Sequence, residues 1–314
     1  MAISKDDEKF KNAKKLIFAG LDNSGKTSIN TVVSENAASL GLIKPTYLVK
    51  RSMFQYLDYD FISCDMGGQK KYLISYFKEP GKYFDAVDAC IFVIDVQDGD
   101  RIQQAVNYFR DILVQFTTFK IQPRIFVFFH KAERILYNGN TDDTENMNEA
   151  KRIINDINAD RFALEFHVTT IVDVWSITKA FAMIMNYLYP VDGLVGGTIK
   201  NLVTAVNAMI SVLIDDHMIP VAQNMHTKQT DELISASAPN MFTLKQSMDR
   251  VKKKPSKMVT FVWEGYNFVL ATLPEAQVHL HLLLIGAHGS MKIDTIEKET
   301  TSALQEIYAA LKIE

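Results

Sequence analysis

The stretch Gly20-Leu21-Asp22-Asn23-Ser24-Gly25-Lys26-Thr27 follows the apolar run Lys15-Leu-Ile-Phe-Ala19 and opens a segment that reads as a helix from Lys26 to about Leu40. A strand, a glycine-bounded loop ending in Lys-Thr and a helix form the context in which G-x-x-x-x-G-K-[ST] binds phosphate. Glycines let backbone N–H groups turn inward around phosphate oxygens. The helix N-terminus adds positive dipole. Lys26 is placed to reach β- and γ-phosphates, and the Thr27 hydroxyl to ligate Mg²⁺. Gly20, Asn23, Ser24, Gly25, Lys26, Thr27 and Ser28 form the expected phosphate-side set, with Ser24 acting through its backbone N–H. The side chains of Asp22 and Asn23 read as facing solvent.

A second signal lies thirty-eight residues beyond Thr27, where a strand ends in Asp65-Met-Gly-Gly-Gln69. An acidic residue at a strand end can hold a Mg²⁺ shell. Gly68 can bring its backbone N–H to a γ-phosphate without steric interference, and Gln69 stands where a glutamine could orient an attacking water.

Outward from these motifs the first half alternates strands and helices. Arg51–Leu57 and Phe61–Asp65 read as strands joined by Asp58-Tyr59-Asp60, and Ala89–Asp95 and Ile125–Phe129 as buried strands. Asp100–Phe116 has helical spacing of Ile102, Ala105, Val106, Phe109, Ile112 and Leu113. Thr144–Ile157 reads as a helix, Phe162–Thr169 as a strand, and Trp175–Tyr189 as a helix stopping before Pro190. Apolar strands alternating with helices imply a mostly parallel sheet covered on both faces. The stretch Pro190–Gly197 reads as a short, partly packed joint.

The second half has a different rhythm. Thr198–Ala208 reads as a helix, Ile210–Ile214 and Met218–Ala222 as a hairpin, and Asn240–Lys253 as a helix after a polar loop. Strands Met258–Trp263, Tyr266–Thr272 and Val278–Ile285 follow, the first two joined by Glu264-Gly265. A helix from Asp294 to Leu311 ends the series. The order α-β-β-α-β-β-β-α describes an α+β domain with helices on one face of an antiparallel sheet.

Composition narrows the partners. The 314 residues carry a net charge of −3, with 47% hydrophobic and 23% charged residues. These values exclude collagenous, disordered and disulfide-scaffold classes. They also argue against non-specific nucleic-acid binding, which needs a basic surface. The longest apolar runs fall well short of a membrane span. MAISKDDEKF lacks the apolar core of a signal peptide, and Ala2 rules out myristoylation at that position. Cys64 and Cys90 sit in apolar strand-like runs and read as reduced, buried thiols.

GLDNSGKTS followed by DMGGQ resembles the Arf and Rag branch of the Ras-like small GTPases. Tyr76–Phe84, leading into Ile91-Phe-Val-Ile-Asp95, is similar to the extended segment of Rag proteins. His130-Lys131-Ala132-Glu133 resembles their H-K-x-D motif, and Thr169-Thr170-Ile171 their T-S-I. The element order of the second half resembles the roadblock-type arrangement.

The resemblance implies a P-loop Ras-like α/β domain with a mixed, mostly parallel sheet over residues 1–190, and an α+β roadblock- or longin-like dimerisation domain over 191–314. It implies a GTP/GDP conformational switch with slow, Mg²⁺-dependent GTP hydrolysis. Gln69 would orient the water, and Thr27, Thr46 and Asp65 would surround Mg²⁺. Thr46, after Lys44-Pro45, is similar to the switch I threonine. His130, Lys131, Glu133, Thr170 and Ile171 would surround the base. Switch I would span Ala37–Arg51 and switch II Gly67–Pro80. The implied partners are a second Rag-like subunit or a second copy, activating and exchange proteins, and a roadblock-type scaffold. No arginine reads as a finger in cis. With no anchor visible, the implied location is cytoplasmic, any membrane association being borrowed from a partner.

The sequence departs from this pattern at Glu133, where the guanine-reading aspartate is expected. Glutamate keeps the charge and both acceptors but reaches one methylene further, so guanine preference is expected to survive with altered affinity. The alternative reading makes Glu133 a solvated loop carboxylate, with the base stacked on Lys131. His279 and His281 alternate on one strand face and read as exposed or interface residues rather than metal ligands. Two rivals to a hydrolysing switch are a nucleotide-binding scaffold that barely hydrolyses and a P-loop ATPase or small-molecule kinase. The second gives no reason for DMGGQ and HKAE at this spacing.

Overall fold

The computed structural model describes residues 13–34, 46, 49–57, 59–191, 193–225, 227–252, 255–273 and 276–313. The chain divides into two compact units, Met1–Ala180 and Phe181–Glu314. The division falls within the helix Val174–Leu188 rather than at Pro190.

The first unit is built on a six-stranded sheet. Its strands are β1 (Lys14–Ala19), β2 (Val49–Tyr56), β3 (Tyr59–Met66), β4 (Ala89–Asp95), β5 (Arg124–His130) and β6 (Leu164–Val168). The spatial order is β2-β3-β1-β4-β5-β6. Only the β2–β3 pair is antiparallel. Every residue from Cys90 to Val93 and from Ile125 to Phe128 is fully buried. Successive strand residues point to opposite faces, so both faces of the sheet centre are covered, as expected of a mainly parallel sheet. Phe92, Phe109, Phe116 and Phe84 knit β4 to the helices on one face through edge-on ring contacts.

Among the described residues six helices join or flank these strands: α1 (Lys26–Ser34), α2 (Lys70–Lys78), α3 (Pro80–Phe84), α4 (Ile102–Thr118), α5 (Glu133–Asn138) and α6 (Thr141–Asn158). The sequence expectation for α1 continued to Leu40, but residues 35–40 lie outside the described residues. Most of the expected switch I, Ala37–Arg51, lies outside them as well, Thr46 and residues 49–51 excepted. Helices α2, α3 and α5 were not expected, each being too short to display a helical period. Helix α6 begins three residues earlier than expected because the Asn140 carboxamide caps the Asp143 N–H at 2.8 Å. Helix α7 (Val174–Leu188) follows β6.

The second unit holds an antiparallel five-stranded sheet of order β8-β7-β11-β10-β9. Its strands are β7 (Ile210–Asp215), β8 (Pro220–Gln223), β9 (Met258–Trp263), β10 (Tyr266–Thr272) and β11 (Leu280–Ala287). Helices α8 (Gly193–Val206), α9 (Lys228–Lys252) and α10 (Ile293–Leu311) complete the expected order. Glu264 and Gly265 both have positive φ, 43° and 82°, as a tight hairpin of this twist requires.

Three expectations for this unit are corrected. The glycine-bearing joint is helical, because α8 starts at Gly193 and runs through Gly196 and Gly197. Each interior glycine costs about 1 kcal/mol of helix propensity, which full burial of Val195 and Ile199 offsets. The expected polar loop before Asn240 is the first half of α9, which continues through Pro239. Buried Ile234, Ala238, Met241, Phe242 and Lys245 recur at helical spacing across that proline. Finally, helices cover both sheet faces. Residues Leu282 to Ile285 are all fully buried. Helix α9 lies over the face bearing Phe268 and Thr272, while Gly286 on the alternate face abuts Met291 and Ala208.

Candidate nucleotide site

The parallel strands β1, β3, β4 and β5 end at one edge, where a first loop after β1, a second ahead of β2 and a third after β3 meet the ends of β5 and β6 around a cleft of ≈ 490 Å³. That volume is in the range of small-molecule and cofactor sites. Asp22, Asn23, Gly25, Lys26, Thr27 and Ser28 line it from the first loop, and Thr46, Gly67, Gly68 and Gln69 from the second and third. His130, Lys131, Glu133 and Ile171 line the far side. The two motifs and the H-K-A-E segment therefore meet in space.

Four expected site residues support the cleft without lining it. Gly20 passes against β4, where a methyl group would meet the Val93 carbonyl at 2.3 Å. Ser24 is buried under the loop, Asp65 lies beneath Thr27, and Thr170 lies behind Glu133. Asp22 and Asn23 are exposed, yet both border the cleft, and Asn23 adopts φ of 59°.

Lys26 is 5% exposed and donates from Nζ to the Leu21 carbonyl at 2.6 Å. Burial lowers its pKa to about 8; the Asp65 and Asp22 carboxylates oppose that shift, and Arg101 adds to it. Arg101, from the single 3₁₀ turn ahead of α4, pairs with the Asp22 carboxylate and approaches the Asp22 carbonyl at 3.4 Å. It braces the loop from outside the cleft lining. Only the fold shows this contact, since the two residues are far apart in sequence.

Asp65 is fully buried. Its Oδ2 accepts from Thr27 Oγ1 at 2.6 Å and from Thr46 Oγ1 at 2.9 Å, and the two hydroxyls lie 2.8 Å apart. Its Oδ1 is buried without a hydrogen-bond partner among the described residues. A buried carboxylate with an orphaned oxygen beside two hydroxyls is a hard, all-oxygen donor set, which suits Mg²⁺.

Two further glycines are required by contact. Gly25 has φ of 96°, and a methyl group there would lie 2.3 Å from His130 Cδ2. Gly68 packs so closely on the first loop that a methyl group would lie 2.1 Å from the Asp22 backbone nitrogen. The third loop is also tied down by Tyr76, a fully buried residue whose hydroxyl donates to the Gly67 carbonyl at 3.0 Å. Sequence reading missed Tyr76; a tyrosine seven residues after Gln69 carries no motif.

His130 is 1% exposed, its Nδ1 lies 3.0 Å from Thr169 Oγ1, and burial lowers its pKa to about 4. It is a neutral ring packed against Gly25. Lys131, in the left-handed region at φ of 60°, pairs with Asp95 at 2.6 Å. Both Glu133 oxygens are engaged: Oε1 accepts from Gln97 Nε2 and Oε2 from Thr170 Oγ1, each at 2.7 Å. Burial raises the Glu133 pKa, but these hydrogen bonds outweigh it and leave the group below its ordinary value. The carboxylate is thus fixed and half-buried rather than a freely solvated loop group. Cys64 and Cys90 are free and buried, as expected. His279 and His281 share Asp216 at 3.3 and 2.9 Å, and no metal-binding cluster occurs among the described residues.

Comparison with known proteins places this architecture. The conserved region of the Gtr1/RagA G proteins matches residues 15–259. The GTP-binding protein GTR1 of Saccharomyces cerevisiae is 27% identical over 128 residues, which is 40% of this chain and 41% of that protein. ADP-ribosylation factor-like protein 2 of Arabidopsis thaliana is 31% identical over 102 residues, 32% of this chain and 52% of that one. The chain thus spans roughly half the length of the curated relatives it matches. Among solved structures, the Arl6 BBS3 small GTPase from Trypanosoma brucei, with bound nucleotide analogue GppNp, aligns at 20% identity and a TM-score of 0.46, over 56% of this chain and 97% of that one. The match to the conserved region takes in more than three quarters of the chain, which therefore belongs to the Gtr1/RagA family of small, guanine-nucleotide-binding G proteins.

Proposed function

We propose that this chain is a GTP/GDP switch that hydrolyses GTP slowly, with its nucleotide in the cleft between the first loop and Glu133. The observation that carries the reading is the meeting of Lys26, the Thr27–Thr46–Asp65 oxygen cluster, Gln69 and Glu133 around one cleft of nucleotide size. Lys26 and the loop N–H groups receive the phosphates. Thr27, Thr46 and Asp65 would hold Mg²⁺, which supplies charge neutralisation at the phosphates when bound. Gln69, at the N-cap of α2 with no side-chain cap bond of its own, is free to orient a water toward the γ-phosphate. Gly68, in contact with the first loop, couples phosphate occupancy to α2, whose first turn hangs on the Gln69 carbonyl. Arg101 is engaged with Asp22 outside the cleft, so the positive charge of an activating partner is expected to accelerate the reaction.

Single-turnover GTP hydrolysis with Mg²⁺ tests this. Gln69→Leu is expected to slow it by about 100-fold, the lower side of what a positioned water-activating group contributes. An unchanged rate removes Gln69 from the mechanism. A wild type with no measurable turnover would favour the nucleotide-binding scaffold instead.

The second unit reads as the dimerisation module. β9 is an edge strand whose Phe261, Val262 and Trp263 are 45%, 57% and 51% exposed, so apolar side chains stand out on both of its faces. An apolar open edge is a pairing site. The partner is a second copy or a related subunit, and any membrane attachment comes through that assembly. Sedimentation of the full chain at micromolar concentration should show a dimer that Trp263→Lys dissociates; a wild-type monomer at high concentration would count against homotypic pairing.

A further inference from the structure

Glu133 reaches one methylene beyond the aspartate of the H-K-x-D pattern, so its carboxylate has more conformational freedom to lose before it can read a base. The structure supplies a device for that. β4 and β5 run parallel with Asp95 opposite His130, so the residues just beyond their ends meet. Asp95 anchors both sides of this junction, with Oδ1 accepting from the Gln97 backbone N–H at 3.0 Å and Oδ2 from Lys131 Nζ at 2.6 Å. The Gln97 carboxamide then spends both Nε2 hydrogens on the neighbouring loop. One goes to the Lys131 carbonyl and one to Glu133 Oε1, each at 2.7 Å. Lys131 is the residue held at positive φ, a conformation that a side-chain-bearing residue keeps only when its surroundings enforce it.

We propose that Gln97 is the specificity-determining positioning residue of this site, fixing the longer Glu133 carboxylate in the arrangement that reads the guanine edge. The inference rests on the guanine reading of the cleft given above. Gln97 does not itself line the cleft, so it acts through Glu133 rather than on the base. Each carboxylate oxygen offers about two acceptor positions. Gln97 uses one on Oε1 and Thr170 one on Oε2, which leaves one on each oxygen for the N1–H and 2-amino donors of guanine. Without Gln97 the carboxylate is held at one oxygen only. Donors that must meet both oxygens then lose most, and a base that offers no such pair loses little.

Calorimetric titration of the full chain with GDP, inosine diphosphate (which lacks the 2-amino group) and ADP tests this in wild type, Gln97→Ala and Gln97→Met. The methionine variant keeps side-chain length, so a packing defect in the alanine variant does not obscure the result. Both variants are expected to shrink the preference for GDP over inosine diphosphate by about tenfold, the scale of a lost hydrogen bond to a charged group, with ADP affinity within about twofold of wild type. In a Glu133→Ala background, adding Gln97→Ala should change GDP affinity by less than about twofold, since the two residues act as one unit. A wild-type preference retained in both variants, or an equal loss for all three nucleotides, overturns the assignment of Gln97 while leaving the guanine reading intact. A wild type that does not distinguish GDP from ADP overturns both.

Discussion

Lys26→Met is expected to weaken GDP binding on the order of 30- to 5000-fold, the range for removing one partner of a buried, hydrogen-bonded charge pair. The lysine is nearly fully buried, and among the described residues its ammonium meets the Leu21 carbonyl at 2.6 Å and Ser24 Oγ at 3.4 Å. Burial is the main reason its pKa falls to about 8. On the proposed reading phosphate oxygens would offset that desolvation, so nucleotide binding would raise the pKa again. The sign of the pH dependence follows. Below pH 8 the lysine is protonated in both free and bound protein, and it contributes no slope to the affinity. Above pH 8 the free protein must take up a proton to bind, so affinity falls by up to about tenfold per pH unit until the bound-state pKa is reached. The folding stability of the nucleotide-free protein runs the other way. A folded-state pKa below the ordinary 10.5 weakens the fold at neutral pH and relieves it as pH rises from 8 toward 10.5. Calorimetry between pH 7 and 9.5 should show the fall in wild type and none in Lys26→Met. The variant's nucleotide-free melting temperature at pH 7 should be no lower than wild type's. An equal slope in both proteins would move the titrating group elsewhere.

The second large effect is expected at Asp65. Its Oδ2 gathers the Thr27 and Thr46 hydroxyls while Oδ1 has no hydrogen-bond partner among the described residues, and the carboxylate is fully buried. An incompletely paired buried charge is costly to the empty protein and favourable once a cation arrives. Asp65→Asn should therefore act in opposite directions on the two states. The metal- and nucleotide-free protein should melt at the same temperature as wild type or a few degrees higher. The gain in GDP affinity that Mg²⁺ gives wild type, measured against chelator, should be lost by on the order of 30-fold or more. If Asp65→Asn retains the full Mg²⁺ dependence, Asp65 is not part of the cation site.

Much of this was legible in the sequence because the phosphate side is written as contiguous motifs. Gly20–Thr27 and Asp65–Gln69 need only local geometry, and the structure places them at adjacent strand ends. The runs of apolar residues also revealed the strand series of the first sheet and the order of elements in the second unit, but not the short helices α2, α3 and α5. What was not legible depends on which strand ends become neighbours. Gln97 meets Glu133 only because β4 lies beside β5, and Arg101 meets Asp22 only because β4 lies beside β1. A signal for Gln97 did exist, two residues past the acidic end of a buried strand, but nothing in the sequence said which loop it would face. In the second unit, local propensity misled at Gly196, Gly197 and Pro239, where burial of Ile199 and Met241 overrides poor helix formers.

On the proposed reading, Glu133, held by Gln97 and Thr170, keeps this cleft selective for guanine. Calorimetric titration of the wild-type full chain with GDP and with ADP, each with Mg²⁺ at pH 7.5, tests it most directly. Two hydrogen bonds from guanine to this carboxylate would have no counterpart on adenine, so GDP is expected to bind at least about tenfold more tightly. Equal affinities for the two nucleotides would contradict the account.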